Sequence, residues 1–225
     1  MSEHLSNYWK TYNQEKKIFI KKIVKFNNKN KFNFVENENY NQIRDIFSLI
    51  LATIEFNKKK LKVLDYGSNL ISISNLNNKI KSSKFKFYIY DPFLPKDFTK
   101  QKIKNINYQI FNNKNKILRN NFTIINFGSS IQYQKNFFDN LNEIKLLKTK
   151  YIIFTSTPFS LSKTYNSKQS NHKHLNQKVY SLNMLINKLK SKNFRLIFKS
   201  RNHDKYISCE KKLYKTYSLN LVFKK

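Results

Sequence analysis

Glycine is almost absent from this chain. The 225 residues include two glycines, Gly67 and Gly128, whereas average usage would give roughly sixteen. Glycine is the residue that tolerates a left-handed backbone or the close approach of another group. The two glycines that remain therefore mark positions where we expect that no other residue fits.

Cysteine and long apolar runs are also scarce. The single cysteine, Cys209, excludes a disulfide within the chain and argues against a cysteine-based zinc site. It suits a reducing compartment, and the N-terminus lacks the apolar core of a signal peptide. The most apolar run, 46–56, is shorter than the about twenty residues that a membrane span needs. We therefore predict a cytoplasmic protein without a membrane span.

Acidic residues are few, 13 against 44 lysines and arginines, which gives a net charge of +31. A basic surface can bind nucleic acid by neutralising phosphates. The abundance of Lys, Asn, Ile, Phe and Tyr, which share AT-rich codons, explains the charge without a function. Base and phosphate recognition favours the planar guanidinium group, and the chain has four arginines: Arg44, Arg119, Arg195 and Arg201. We favour the codon explanation and predict only non-specific nucleic-acid binding.

The first part of the chain shows helical periodicity. Apolar residues recur there at intervals of three and four residues, which predicts one buried helix face; they are Ile43, Ile46, Phe47, Ile50, Leu51 and Ile54. We predict an N-terminal helical region over 1–58 and a second domain over 59–225.

Short apolar runs alternate with helical patterns from residue 61 onward. The runs lie at 61–65, 85–90, 106–111, 122–127, 151–154 and 194–198. Helical spacing is seen within 70–80, 137–147 and 182–189, where Ser181 can cap the last helix. This alternation predicts an α/β fold with a mostly parallel, Rossmann-like sheet. The segment 217–223 alternates apolar and polar residues, which predicts an antiparallel last strand with one wetter face.

Two aspartates follow the first two predicted strands. Asp65 ends the first strand just before Gly67, and Asp91 ends the second just before Pro92. Ligands of open α/β sheets bind at the carboxyl ends of the strands, and an acidic residue after the second strand can receive ribose hydroxyls. The alternative is that both aspartates only cap helices or shape turns.

The second glycine, Gly128, ends the predicted fourth strand and precedes Ser129. The fourth strand lies beside the first in doubly wound sheets. Both glycines would then sit where a ligand approaches the backbone. The structural alternative is two tight strand-to-helix turns.

Four segments carry a resemblance to a known family. They are Asp65-Tyr66-Gly67-Ser68, the acidic end of "FYIYDPF", Gly128-Ser129-Ser130-Ile131-Gln132-Tyr133, and Thr157-Pro158-Phe159. Together they resemble class I S-adenosylmethionine (SAM)-dependent methyltransferases. More narrowly, they are similar to a methyltransferase family, assigned by sequence, that is encoded among bacterial surface-polysaccharide genes. The resemblance covers about 40–225.

The resemblance implies a cofactor, a fold and a set of site residues. It implies a Rossmann-like methyltransferase sheet with N-terminal helices, and SAM as cofactor. The implied SAM-binding residues are Asp65, Tyr66, Gly67, Ser68, Asn69, Asp91, Pro92, Gly128 and Ser129. The implied acceptor contacts are Gln132, Tyr133 and Thr157. The chain departs from the family pattern at Ser68 and Ile71, where the family has glycines, and at Asp91, where a longer Glu is common.

The segment 160–180 is predicted to be a long, mobile loop that closes over the acceptor. It holds His172 and His174, which are candidates for a general base to a hydroxyl acceptor, as is Tyr133. The alternative is a pair of solvated loop histidines. Their two-residue spacing without a third ligand is weak support for a metal site, and we predict none.

Three functions fit the sequence. The first is a SAM-dependent methyltransferase acting on a small or saccharide-type acceptor. The second is an RNA methyltransferase that uses the lysine-rich surface, and the third is a non-catalytic protein on a decayed methyltransferase fold. Against a nucleic-acid base as acceptor, the fourth strand ends in Asn126-Phe127-Gly128-Ser129 rather than in the Asn-Pro-Pro-aromatic segment that holds a flipped base.

Overall fold

The computed structural model divides the chain into two compact units, 1–120 and 121–225. The predicted boundary after residue 58 stays a prediction. For residues 168, 169 and 172–176 the structure describes the backbone alone. The described residues are 46, 47, 49–51, 53, 54, 61–67, 84–91, 107–111, 113–134, 136–144, 146, 148–169, 172–201 and 216–225.

In the first unit, the described residues within 46–53 are helical. Four apolar side chains of the predicted stripe are buried, namely Phe47, Ile50, Leu51 and Ile54. The amide of Ile54 donates to the carbonyl oxygen of Ile50 at 3.2 Å, which is the spacing of an α-helical turn. The helical interpretation is confirmed for these residues, and the rest of 1–58 lies outside the described residues.

The sheet of the first unit contains three parallel strands in the order β3-β2-β1. They are β1 (Leu61–Tyr66), β2 (Phe85–Tyr90) and β3 (Tyr108–Phe111). Most residues of β1 and β2 are buried, as expected of parallel strands covered on both faces. A short helix, α1 (Lys114–Leu118), follows β3. The predicted helix over 70–80 lies outside the described residues.

The sheet of the second unit combines parallel and antiparallel strands. The strand β4 (Ile124–Asn126) pairs in parallel with β5 (Tyr151–Ser160). The last strand, β9 (Thr216–Lys224), runs antiparallel between β5 and β8 (Arg195–Arg201). The predicted antiparallel last strand is thus confirmed.

The prediction of a wetter face on β9 is wrong. Ser218 and Asn220 are buried, because β9 lies between two other strands instead of at an edge. The Asn220 amide compensates for its burial with two hydrogen bonds. Its Oδ1 accepts from the Ser156 amide at 2.9 Å, and its Nδ2 donates to the Ser200 hydroxyl at 3.0 Å.

The prediction of a long loop over 160–180 is also wrong. The strand β5 continues to Ser160, and an antiparallel hairpin follows, formed by β6 (Tyr165–Gln169) and β7 (His172–Ser181). The pairs Phe159–Tyr180 and Ser160–Ser181 join β7 to β5 in parallel. Polar side chains did not prevent strand formation, because the main chains of β6 and β7 supply each other's hydrogen bonds.

The described residues of the second unit also form the helices α2 (Phe137–Glu143) and α3 (Leu182–Lys190). The Ser181 hydroxyl accepts a hydrogen bond from the Met184 amide, which confirms the predicted N-cap. The helix α2 is shorter than predicted, because Ile144 already has an extended backbone. Within the described parts of both units, no helix combines the length and apolarity that crossing a membrane requires.

Candidate functional site

Gly67 follows β1 directly and has a φ of 76°. This left-handed conformation is readily adopted by glycine and is unfavourable for residues with a Cβ. The Gly67 amide donates a hydrogen bond to the carbonyl oxygen of Tyr90 at 2.6 Å. The turn after β1 is therefore tied to the last residue of β2, and its backbone explains why glycine is needed at this position.

Two buried aspartates lie at the carboxyl ends of β1 and β2. In the parallel register, Asp65 is opposite Ile89 and Tyr66 is opposite Tyr90, and Asp91 directly follows β2. Asp65 is 1% exposed and Asp91 is 4% exposed. Buried carboxylates are costly and are usually retained with partners that hydrogen-bond to them. Both acidic residues are thus buried at the ends of neighbouring strands, and their role in a site stays a prediction.

The rings of Tyr66 and Tyr90 stand edge to face at the same strand ends, with centroids 4.9 Å apart. Burial raises the pKa of Tyr90, and the negative charge of Asp91 raises it further. The Tyr90 phenol is therefore protonated at neutral pH, and it can act as a hydrogen-bond donor there.

Gly128 is needed for a different reason. A Cβ at this position would lie 3.0 Å from the Thr155 Oγ1 and 3.2 Å from the Asn126 Nδ2, which is tighter than ordinary contact. The positive φ after β4 belongs to Ser129, at 47°, and the Ser129 amide donates to the Thr155 carbonyl oxygen at 2.9 Å. Crowding by neighbouring side chains thus favours glycine at position 128, and a contribution of Gly128 to ligand binding stays a prediction.

The predicted acceptor contacts have different surroundings. Gln132 and Tyr133 lie in a 3₁₀ turn, Ile131–Tyr133. Gln132 is 4% exposed and its Nε2 donates to the Ser129 hydroxyl at 3.0 Å, whereas Tyr133 is 38% exposed. Thr157 is fully buried, and its hydroxyl lies within hydrogen-bonding distance of the carbonyl oxygens of Phe127 and Thr155. The Thr157 hydroxyl is therefore already bonded to the main chain.

The remaining predicted site residues can be placed only in part. His172 and His174 belong to β7, in a hairpin rather than a loop, and their side chains lie outside the described residues. Ser68, Asn69 and Pro92 also lie outside them. Among the residues that the structure describes, no three His, Cys, Asp or Glu side chains cluster as metal ligands would.

Tyr180 has a structural role that the sequence did not predict. Its hydroxyl donates to the Gln134 carbonyl oxygen at 3.0 Å and accepts from the Phe137 amide at 3.3 Å. Its ring packs against Phe137 and Phe138. Tyr180 thereby fastens β7 to the segment between the 3₁₀ turn and α2. The sequence offered little indication of this role, because 160–180 showed no apolar periodicity.

No protein-family model matches the chain, and no curated protein matches it. Solved structures do resemble it, at low sequence identity. One is the 1,6-didemethyltoxoflavin-N1-methyltransferase of Burkholderia thailandensis with bound 1,6-didemethyltoxoflavin and S-adenosylhomocysteine (SAH). It is 10% identical with a TM-score of 0.55, and the match covers 94% of this chain and 89% of that one.

Two further structures show the same likeness. The magnesium protoporphyrin IX methyltransferase of Synechocystis PCC 6803 with bound SAM is 11% identical, with a TM-score of 0.53 and coverage of 86% and 85%. A SAM-dependent methyltransferase of Methanosarcina mazei is 9% identical, with a TM-score of 0.50 and coverage of 79% and 96%. The predicted fold is confirmed: the chain has the Rossmann-like fold of these methyltransferases, with a mostly parallel sheet and antiparallel C-terminal strands.

Proposed function

We propose that this protein is a SAM-dependent methyltransferase that binds SAM at the carboxyl ends of β1 and β2. The observation that carries the proposal is the left-handed Gly67 directly after β1, together with the buried Asp65 and Asp91 at the carboxyl ends of β1 and β2. Ligands of this fold bind at the carboxyl ends of parallel strands. The SAH bound to the Burkholderia thailandensis methyltransferase and the SAM bound to the Synechocystis methyltransferase support the same cofactor.

The chemistry of these residues fits SAM. The Asp91 carboxylate can accept hydrogen bonds from the two ribose hydroxyls. Gly67 has no side chain that would cover the turn, so its backbone can lie close to a ligand. The contributions of Asp65, Tyr66, Ser68, Asn69, Pro92, Gly128 and Ser129 to SAM binding stay predictions.

When bound, SAM supplies an electrophilic methyl group. The protein then has to align the acceptor with that group and to remove a proton when the acceptor is a hydroxyl. Tyr133 is exposed enough to contact an acceptor, and His172 and His174 stay candidates for the base. The acceptor that we propose is a small or saccharide-type molecule, on the strength of the resemblance to the polysaccharide-associated family.

Calorimetry with SAM and SAH tests this proposal directly. The parent protein should bind both ligands, and Asp91→Ala should bind them about ten- to a hundredfold more weakly, because it loses charge-assisted hydrogen bonds of about 1.5–3 kcal/mol. The exposed acidic residue Asp139 offers a matched control, and Asp139→Ala should bind as the parent does. A parent protein that binds neither ligand would favour the non-catalytic alternative. Unchanged affinity in Asp91→Ala would make Asp91 a turn residue only.

A further inference from the structure

Two buried glutamines in the second unit each have an amide atom that finds no hydrogen-bond partner among the described residues. The atoms are Oε1 of Gln132 and Nε2 of Gln177, and both side chains are 4% exposed. The large majority of buried polar atoms in native proteins are hydrogen-bonded. The Nε2 of Gln134 also lacks a partner among the described residues, and these amide atoms are therefore candidates for hydrogen bonds to a ligand.

The two glutamines lie on elements that contact each other. Gln132 belongs to the 3₁₀ turn after β4, and this turn contacts β7. Gln177 belongs to β7, opposite Ser167 of β6. The hydrogen bond from Gln132 Nε2 to the Ser129 hydroxyl holds one amide, and the Tyr180 hydroxyl fastens β7 to Gln134. The Gln132 amide is thus held in place while its oxygen stays unsatisfied.

We propose that Gln132 and Gln177 bind the methyl acceptor, and that the acceptor is a neutral, hydroxyl-rich molecule of the saccharide type. This inference rests on the proposed methyltransferase function. The Gln132 oxygen can only accept a hydrogen bond, and the Gln177 nitrogen can only donate one. A hydroxyl group does both, so neighbouring hydroxyls of a sugar ring satisfy the pair. Whichever way the two amides are turned they present both donors and acceptors, which hydroxyl groups match, whereas a phosphate or carboxylate only accepts.

The hairpin of β6 and β7 determines how such a molecule would reach these atoms. Both amide atoms are buried beneath protein in the structure, so the acceptor enters when β7 moves away from the 3₁₀ turn. The hairpin is joined to β5 at the pairs Phe159–Tyr180 and Ser160–Ser181. The Tyr180 hydroxyl also bonds the Gln134 carbonyl oxygen, and the Tyr165 hydroxyl bonds the Thr216 hydroxyl, so entry of the acceptor requires a local opening of these contacts.

Saturation-transfer NMR in the presence of SAH tests the inference. The probes are two neutral sugars, methyl α-glucoside and N-acetylglucosamine, and one anionic sugar, glucuronate. We expect at least one neutral sugar to bind the parent protein. Gln132→Met and Gln177→Met should each weaken that binding by about tenfold, because each leaves one sugar hydroxyl without its partner. Gln109 is an exposed glutamine of β3, and Gln109→Met should bind the sugar as the parent does.

Thermal unfolding and SAH calorimetry on the same variants separate the outcomes. SAH binding by the parent without binding of either neutral sugar would overturn the saccharide inference and leave the methyltransferase proposal standing. Preferred binding of glucuronate would overturn it too, as would sugar binding that persists in both variants. A large, parallel loss of stability and SAH affinity in both variants would show that the amides have a structural role, and it would overturn the inference. Absence of SAH binding in the parent would count against the methyltransferase proposal itself.

Discussion

The amide of Gly67 donates a 2.6 Å hydrogen bond to the carbonyl oxygen of Tyr90, so the turn after β1 is anchored to the end of β2. Gly67 itself has a left-handed φ of 76°, and it adds no side chain at the carboxyl ends of β1 and β2. Stability and ligand binding are therefore coupled at this glycine.

Gly67→Val should abolish SAM binding and lower the free energy of unfolding. A residue with a Cβ costs about 1–2 kcal/mol in the left-handed region, and valine would also fill the approach to the turn. Gly67→Asn is the matched control, because asparagine tolerates this conformation better than other residues. Urea unfolding and SAM calorimetry measure the two effects. Equal stability in the two variants would show that the left-handed turn is unimportant for stability, and SAM binding by Gly67→Val as tight as by the parent would place the cofactor site elsewhere.

Gly128→Ala should destabilise the protein by about 1–3 kcal/mol, because the new methyl group overpacks a filled site. The group in its way is the Thr155 hydroxyl, 3.0 Å from the Cβ position. The double variant Gly128→Ala/Thr155→Ala lacks that hydroxyl, and it should therefore recover part of the stability that Gly128→Ala loses. A double-mutant cycle measured by urea unfolding gives the coupling free energy between the two substitutions. Strictly additive effects would contradict the packing explanation.

Tyr180→Phe should lower the free energy of unfolding by about 1–3 kcal/mol. The variant keeps the aromatic packing but leaves the buried Phe137 amide without the oxygen that accepts its hydrogen bond at 3.3 Å. Tyr133→Phe, at an exposed tyrosine, is the control and should change stability little. Chemical denaturation of both variants checks the prediction, which fails if the two changes cost the same.

Stability should fall at alkaline pH, in part through Tyr180. Burial raises the pKa of its phenol above the ordinary value of 10, so the folded state holds the proton more tightly than the unfolded state does. The stabilisation is complete below pH 10 and is lost as the pH rises through the folded-state pKa. The decline above pH 10 should therefore be shallower in Tyr180→Phe than in the parent. Identical pH profiles would exclude this contribution.

Nucleic-acid binding, where it occurs, should be weak, sequence-independent and sensitive to salt. Two of the four arginines, Arg195 and Arg201, lie exposed on β8, and Arg201 stacks over the Tyr217 ring at 4.2 Å. Arg195→Lys and Arg201→Lys keep the charge and should leave a diffuse electrostatic interaction unchanged. Filter binding at about 50 and 200 mM salt should show a steep loss of affinity. Tight binding at the higher salt, lost in Arg201→Lys, would instead favour the RNA methyltransferase hypothesis.

Local patterns in the sequence were enough to predict several parts of this protein. The apolar runs predicted β1 and β2, the spacing after Ser181 predicted the capped helix α3, and the composition pointed to the turn at Gly67. These features depend on residues close in sequence. Strand burial, helix capping and left-handed turns leave periodic or single-residue preferences that can be read without knowing the partner.

Other features were decided by the tertiary structure. The polar hairpin of β6 and β7, the buried Asn220 in β9 and the bridging hydroxyl of Tyr180 all depend on partners distant in the chain. The same holds for Gly128, whose need for glycine comes from the Thr155 side chain in β5. A polar residue can be buried wherever another segment supplies its hydrogen bond. Which segment does so is fixed by strand pairing and packing, and neither leaves a mark in the local sequence.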